Sequence, residues 1–175
     1  HFFPHIATAR AGNVIGGGDW SNNRLIPDIM RAVSKGEKVV IHTPHATRPW
    51  QHVLEPLYGY LLLGKGLYEG REECADAFNF GPTDEEMTVL EIIDEIKTVW
   101  GNFEVECDDR ETHPAMVNLL KIDSTKAKKV LGWETVLKMR NAIQSTAQWY
   151  YDFYKESLVT TADHIQFYED IRRGF

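Results

Sequence analysis

The alternation of short β-rich runs with longer amphipathic segments is the feature that most constrains how this chain of 175 residues can fold. Alternating strands and helices favour an α/β layered arrangement, in which helices cover the faces of a sheet. The strands are predicted at residues 5–15, 39–41, 78–80, 103–106 and 118–122, and the first of them is expected to be buried. These strands are too few and too scattered for a complete doubly wound sheet. We therefore expect the end of a parallel sheet joined to a small mixed α/β lobe.

Hydrophobic spacing predicts the helices between these strands. In the helix expected at residues 54–68, Leu57 and Leu61 belong to an i, i+3, i+4, i+7 series that begins at Leu54, which predicts that they face the core. Thr88 and Glu91 form a capping-box pattern at the start of another helix. The remaining helices are predicted at residues 24–35, after residue 123 with a stop at Gly132, and in the polar C-terminal tail. A long aromatic-rich helix is predicted at residues 139–155.

Composition and residue spacing exclude several classes of function. A net charge of −7 argues against nucleic acid as a partner, because proteins that bind the phosphate backbone carry a basic surface. No apolar run approaches the length of a membrane span. Cys74 and Cys107 form no Cys-x-x-Cys motif, which is typical of reduced cysteines in a cytoplasmic protein. The histidines lack the spacing of a metal site, so no metal is expected.

Three glycines follow the first predicted strand without forming a dinucleotide-binding fingerprint. Gly16, Gly17 and Gly18 are followed by Asp19, and no third spaced glycine opens a helix as that fingerprint requires. The glycines are instead expected to let the backbone turn tightly after the strand.

Three arginines are candidates for binding an anion. Arg10 lies within a β-rich run, Arg24 opens a helix, and Arg48 lies in a proline-flanked loop. A guanidinium group presents a planar fork that matches phosphate oxygens, with about 1.5–3 kcal/mol for each charge-assisted hydrogen bond. Their spacing alone leaves open that they form unrelated surface salt bridges.

Five ordered blocks resemble one family of enzymes. The blocks are residues 9–20 (ARAGNVIGGGDW), 24–28 (RLIPD), 48–57 (RPWQHVLEPL), 78–82 (FNFGP), and 120–123 (LKID) with 131–133 (LGW). They resemble extended short-chain dehydrogenase/reductases that act as sugar-nucleotide epimerases and dehydratases, and are most similar to CDP-glucose 4,6-dehydratases. The resemblance implies an α/β fold, with the C-terminal end of a Rossmann-type parallel sheet and a small mixed α/β substrate-binding lobe.

The resemblance also implies ligand-binding residues. The substrate CDP-glucose, or a related nucleotide sugar, would be bound by Asn13 and Arg48 at the diphosphate, Arg24 and Leu25 beside the base and phosphates, Val40 and Ile41 along the nucleotide, and His113 at a phosphate. Ala11 and Val14 would lie near the nicotinamide of the cofactor NAD.

The resemblance covers only the later part of such enzymes. Their glycine-rich NAD-binding unit, catalytic Tyr/Lys pair and dehydration residues would precede His1, so we expect residues 1–175 to be a single substrate-binding lobe without catalytic residues. Tyr151 and Lys155 match the Tyr-x-x-x-Lys spacing, but their position near the C-terminus favours a surface helix pair. The full-length enzyme would be a homo-oligomer that oxidises C4 of the hexose, eliminates water across C5–C6 and returns hydride to C6 to form CDP-4-keto-6-deoxyglucose.

Two alternatives remain open at this point. The first is a related epimerase or dehydratase that uses a UDP- or dTDP-linked sugar. The second is a non-catalytic module for nucleotide-sugar binding or oligomerisation. A competition series of nucleotide diphosphates would separate the first alternative from a CDP-glucose enzyme.

Overall fold

The computed structural model describes residues 6–82, 86–108 and 122–174. The strands are β1 (Thr8–Ala11), β2 (Asn13–Ile15), β3 (Val39–Ile41), β4 (Thr47–Arg48), β5 (Trp50–His52), β6 (Ala77–Phe80), β7 (Met87–Thr88) and β8 (Val105–Cys107). The helices are α1 (Leu25–Ser34), α2 (Leu54–Tyr68), α3 (Val89–Trp100), α4 (Thr125–Leu131), α5 (Met139–Tyr151) and α6 (Thr161–Arg173). A π-helical turn, Asp152–Glu156, extends α5.

Parallel strand pairs dominate the sheet structure. Strand β1 pairs with β6, β2 with β5, and β3 with β8, all in parallel. The short pair β4–β7 is antiparallel. This mixed α/β architecture confirms the predicted fold class. Of the strand expected at residues 118–122, residues 118–121 lie outside the described part of the chain.

The strand predicted at residues 5–15 is wrong in two respects. It is split at Gly12, whose N–H donates to the Phe80 carbonyl, because the pairing partner changes from β6 to β5 at this point. It was also expected to be buried, yet Ile15 is the only residue of β1 and β2 in the buried class. Within the described residues β1 has a strand on one edge alone, which leaves its other edge uncovered.

The larger hydrophobic core lies between helices α1, α3 and α5 and the strands β2 and β3. Its members share almost complete burial and include Ile15, Ile29, Met30, Val39, Ile92, Ile96, Ile143 and Ala147. The predicted capping box fixes the start of α3: Thr88 Oγ1 accepts from the Glu91 N–H at 3.2 Å, and the Glu91 carboxylate accepts from the Thr88 N–H at 2.7 Å. That prediction is confirmed.

A second core lies under α2. It contains Leu63, Cys74, Phe78, Phe80, Ala127 and Trp133. Helix α4 begins where the Asp123 carboxylate accepts from the Thr125 N–H, and it ends at Gly132 with φ of 65°, which confirms the predicted stop.

The predicted core face of α2 is wrong. Leu57 is 45% exposed and Leu61 is 73% exposed, whereas Glu55, Gly59 and Leu63 face the interior. A Cβ atom on Gly59 would lie 2.4 Å from the Phe80 ring, so the absence of a side chain there allows helix and strand to approach closely. Hydrophobic spacing predicted that the leucines face the core, because it does not recognise a packing face in which a glycine allows close contact.

A buried carboxylate anchors the C-terminal helix α6 to α2. Glu55 Oε1 accepts from the Val136 and Leu137 N–H groups at 2.8 and 2.7 Å. Glu55 Oε2 accepts from the Tyr168 hydroxyl and the Arg172 guanidinium, both at 2.8 Å. Burial, followed by the proximity of Glu55, raises the pKa of Tyr168, so its hydroxyl remains a donor. A buried charge with this many partners is satisfied rather than destabilising.

Candidate functional site

Asn13 begins β2, and Arg48 ends β4, the short strand that pairs with β7. Asn13 is opposite Trp50 in the β2–β5 register, and Arg48 precedes Trp50 by two residues. The Arg48 side chain is half-buried, and its Nη1 donates to the Thr47 carbonyl at 2.9 Å. Both residues that the sequence resemblance assigns to the diphosphate are therefore close to the register position of Trp50, at the start of the β2–β5 pair.

Arg24 is the residue immediately before α1. Its side chain is 61% exposed, and Nη1 pairs with Asp19 Oδ2 at 3.4 Å. Among the described residues no other side chain or carbonyl accepts from this guanidinium, so most of its hydrogen-bonding edge is free. Leu25 begins α1 and is half-buried against the main core. Arg24 therefore has the exposure that a phosphate-binding group needs.

The loop that joins β2 to α1 (residues 16–24, the β2–α1 loop) carries Arg24. Gly18 has φ of 78°, which confirms the predicted tight turn at the glycines. A Cβ atom on Gly17 would lie 2.1 Å from the Trp149 ring, so the indole packs directly on the loop backbone. The glycines therefore serve packing against α5.

An aromatic cluster surrounds Trp20 of this loop. The Trp20 ring lies 5.4 Å from Tyr150, 5.1 Å from Phe153 and 5.7 Å from Tyr154, measured between ring centroids. Trp149 and Phe153 are stacked with an interplanar angle of 7°. The sequence predicts an aromatic-rich helix at residues 139–155 but not its contact with this loop.

The carboxylate of Asp19 is held within the β2–α1 loop. Oδ1 accepts from the Ser21 N–H at 2.9 Å, and Oδ2 contacts Arg24. Partial burial raises the pKa of Asp19, but the Ser21 and Arg24 contacts outweigh burial and lower it overall. Asp19 is thus kept ionised as the partner of Arg24.

Val40 and Ile41 lie on β3, which pairs with β8 and not with the strands of Asn13 and Arg48. The side chain of Val40 is exposed, whereas that of Ile41 lies in the main core. Val40 can thus offer a ligand its side chain, and Ile41 only its backbone.

The residues predicted near the cofactor lie on β1 and β2. Ala11 is the last residue of β1, opposite Phe80, and Val14 is the central residue of β2, opposite Gln51. Both are half-buried. His113 lies outside the described residues.

Two buried polar side chains of β5 were missed by sequence analysis. Gln51 Nε2 donates to the Phe80 carbonyl at 2.8 Å and ties β5 to the end of β6. His52 Nδ1 accepts from the Leu54 N–H at 3.3 Å. Burial, with a smaller effect of His164, lowers the pKa of His52 to about 4, so the imidazole is neutral. In the sequence, the signal that could have identified them is the pair of consecutive polar residues, Gln51 and His52, directly before an apolar helix.

Tyr151 and Lys155 both pack around one indole ring. The Tyr151 ring meets Trp100 edge-on at 5.6 Å, and Lys155 Nζ lies 5.8 Å from the centre of the same ring. Their arrangement is that of a cation–π and aromatic contact at the end of α5.

The described ranges of the chain contain neither a metal-binding cluster nor a membrane-spanning helix. In them, no group of three or more His, Cys, Asp or Glu side chains is arranged to hold a metal ion. No helix in the same ranges has the length and apolar character needed to cross a membrane.

Solved structures define the class of fold. The chain superimposes with a TM-score of 0.64 on dTDP-glucose 4,6-dehydratase from Bacillus anthracis in complex with NAD, at 23% identity, over 83% of this chain and 44% of that one. It superimposes with a TM-score of 0.68 on UDP-glucose 4-epimerase from Stenotrophomonas maltophila, at 21% identity, over 87% of this chain and 49% of that one. The chain therefore shares the Rossmann-type α/β fold of these dehydratases and epimerases over slightly less than half of their length.

Sequence comparison identifies a more specific relative. The chain is 42% identical over 146 residues to CDP-glucose 4,6-dehydratase from Salmonella typhimurium, which confirms the resemblance to these dehydratases. The match covers 83% of this chain and 41% of the relative, so the chain spans about two fifths of that protein's length. No family model matches the chain.

Proposed function

We propose that this chain supplies the sugar-nucleotide-binding lobe of an NAD-dependent CDP-glucose 4,6-dehydratase, which forms CDP-4-keto-6-deoxyglucose. The observation that carries the proposal is the 42% identity to such an enzyme over 83% of the chain. The matched region is two fifths of the relative, and we assign to residues 1–175 substrate binding as a single lobe without turnover of its own. The complete enzyme would act in the cytoplasm as a homo-oligomer.

Arg24 and Arg48 are the groups proposed to bind the diphosphate, together with Asn13. A net charge of −7 disfavours a dianionic ligand at long range, so local guanidinium groups must provide the attraction. The free edge of Arg24 and the half-buried position of Arg48 near the start of the β2–β5 pair support this assignment. Each charge-assisted hydrogen bond contributes about 1.5–3 kcal/mol. Val40 and Leu25 would contact the nucleotide, and His113 a phosphate.

Ala11 and Val14 fit the proposed contact with NAD. Both are half-buried apolar residues, and they lie on consecutive strands separated by Gly12, which suits the approach of a flat ring to the backbone. NAD, when bound, would accept a hydride from the sugar and return it. The role proposed for Ala11 and Val14 is to position the nicotinamide end of the cofactor.

Calorimetric titration of nucleotide diphosphates into the chain tests the proposal. We expect CDP to bind more tightly than UDP or dTDP, and Arg24→Ala to weaken CDP binding about 10- to 100-fold, because it removes one or more charge-assisted hydrogen bonds. Arg173→Ala is the matched control, since Arg173 is also 61% exposed and paired with one carboxylate, Glu169.

Two results would contradict this assignment. One is the absence of saturable CDP binding by the wild-type chain. The other is an equal effect of Arg24→Ala and Arg173→Ala, which would indicate a general charge effect. Tighter binding of UDP or dTDP than of CDP would instead favour an enzyme for another nucleotide sugar.

A further inference from the structure

Three consecutive carbonyl groups of the β2–α1 loop accept hydrogen bonds from side chains outside the loop. The Tyr150 hydroxyl donates to the Asp19 carbonyl at 2.6 Å. Arg31 donates through Nη1 to the Trp20 carbonyl and through Nη2 to the Ser21 carbonyl, each at 3.1 Å. The loop is thus held by α5 on one side and by α1 on the other.

Tyr150 is itself rigidly placed. It is fully buried in the main core, and its ring meets Trp20 edge-on at 5.4 Å and Trp149 edge-on at 5.4 Å. Burial, together with the nearby charge of Asp19, raises the pKa of Tyr150 to about 12, so its hydroxyl remains a donor at neutral pH. A fixed donor of this kind restricts the acceptor that it binds.

Asp19 connects Tyr150 to Arg24, because it forms hydrogen bonds with both residues. Tyr150 holds the backbone of Asp19, whose carboxylate accepts from the Ser21 N–H at 2.9 Å and pairs with Arg24 at 3.4 Å. Because the pair with Asp19 engages one guanidinium nitrogen, it orients Arg24 and leaves its other donors free among the described residues. These contacts connect the buried side chain of Tyr150 on α5 to the exposed guanidinium group of Arg24.

We propose that Tyr150 is a positioning residue for Arg24: its hydroxyl holds the β2–α1 loop so that the guanidinium is oriented before a nucleoside diphosphate binds. This inference rests on the proposed function, in which Arg24 binds the diphosphate. Preorganisation of this kind increases affinity, because less conformational entropy is lost when the ligand binds.

The test compares Tyr150→Phe with Tyr154→Phe. Tyr154 belongs to the same aromatic cluster, with its ring 5.7 Å from Trp20, but its hydroxyl forms no hydrogen bond within the described ranges. We expect Tyr150→Phe to speed amide hydrogen exchange in residues 19–24 and to raise the CDP dissociation constant about three- to tenfold. We expect Tyr154→Phe to change neither. Arg31→Gln removes the two bonds from α1 and should act like Tyr150→Phe.

A double-mutant cycle separates positioning from a general structural role. In an Arg24→Ala background, Tyr150→Phe should cause no further loss of CDP affinity, because the group that it positions is gone. An equal loss in both backgrounds, or an unchanged affinity of Tyr150→Phe in the wild-type background, overturns the inference while the proposed function stands. A wild-type chain that does not bind CDP contradicts the proposed function, and this inference with it.

Discussion

His52 is a neutral histidine whose state is set by burial. It is 3% exposed, and its Nδ1 accepts a backbone hydrogen bond, while Nε2 is buried without a hydrogen-bond partner within the described ranges. His164, which shares a hydrogen bond with Ser145 at 3.2 Å, lies close enough to lower the pKa of His52 further. A charged imidazole at this position would be buried without a counter-ion, which is costly.

The folding stability should therefore fall in mild acid. The pKa of His52 is about 4 in the folded chain and 6.5 when unfolded, so the unfolded state binds more protons between these values. Stability that is present above pH 6.5 is lost as the pH falls towards 4, by about 2 kcal/mol between pH 7 and pH 5 from this residue alone. In His52→Asn, which cannot titrate, that part of the loss should disappear. Denaturant unfolding at both pH values measures it, and the same pH dependence in both proteins would count against this explanation.

Helix α2 shows what hydrophobic spacing can and cannot predict about an element. The spacing predicted residues 54–68, the same bounds that the structure has, because a helical period is a local property. It predicted the wrong buried face, because the face that packs against the core contains Glu55, whose side chain is polar, and Gly59, which has no side chain. Partners in the rest of the chain, such as Phe80 and Trp133, decide which face is buried.

Two glycines of α2 should respond to alanine in opposite ways. A Cβ atom on Gly59 would lie 2.4 Å from the buried Phe80 ring, whereas one on Gly64 would meet nothing within 4 Å. Gly59→Ala should lower the free energy of unfolding by about 1–3 kcal/mol through overpacking. Gly64→Ala should raise it by up to about 1 kcal/mol through helix propensity. Equal effects in urea unfolding experiments would show that α2 does not pack through Gly59.

For the whole molecule, local rules predicted the α/β class, the capping box of α3 and the stop of α4. The ordered sequence blocks also selected Asn13 and Arg48, which the structure relates through Trp50: Asn13 is its register partner, and Arg48 precedes it by two residues. The contacts that hold the molecule together could not be predicted in this way. Tyr168 binds Glu55 across 113 residues, and Tyr150 binds Asp19 across 131 residues. Such contacts depend on the three-dimensional arrangement of elements rather than on any period in the sequence.

Backbone amide chemical shifts during a titration with CDP-glucose test the central proposal most directly. We predict saturable shifts centred on Asn13, Arg24 and Arg48 and extending through the β2–α1 loop, because the diphosphate would bind between these arginines. The C-terminal half of α6, anchored to the buried Glu55 through Tyr168 and Arg172, should show little change. The absence of saturable shifts, or shifts centred on α6 and not on the arginines, would contradict the proposed sugar-nucleotide site.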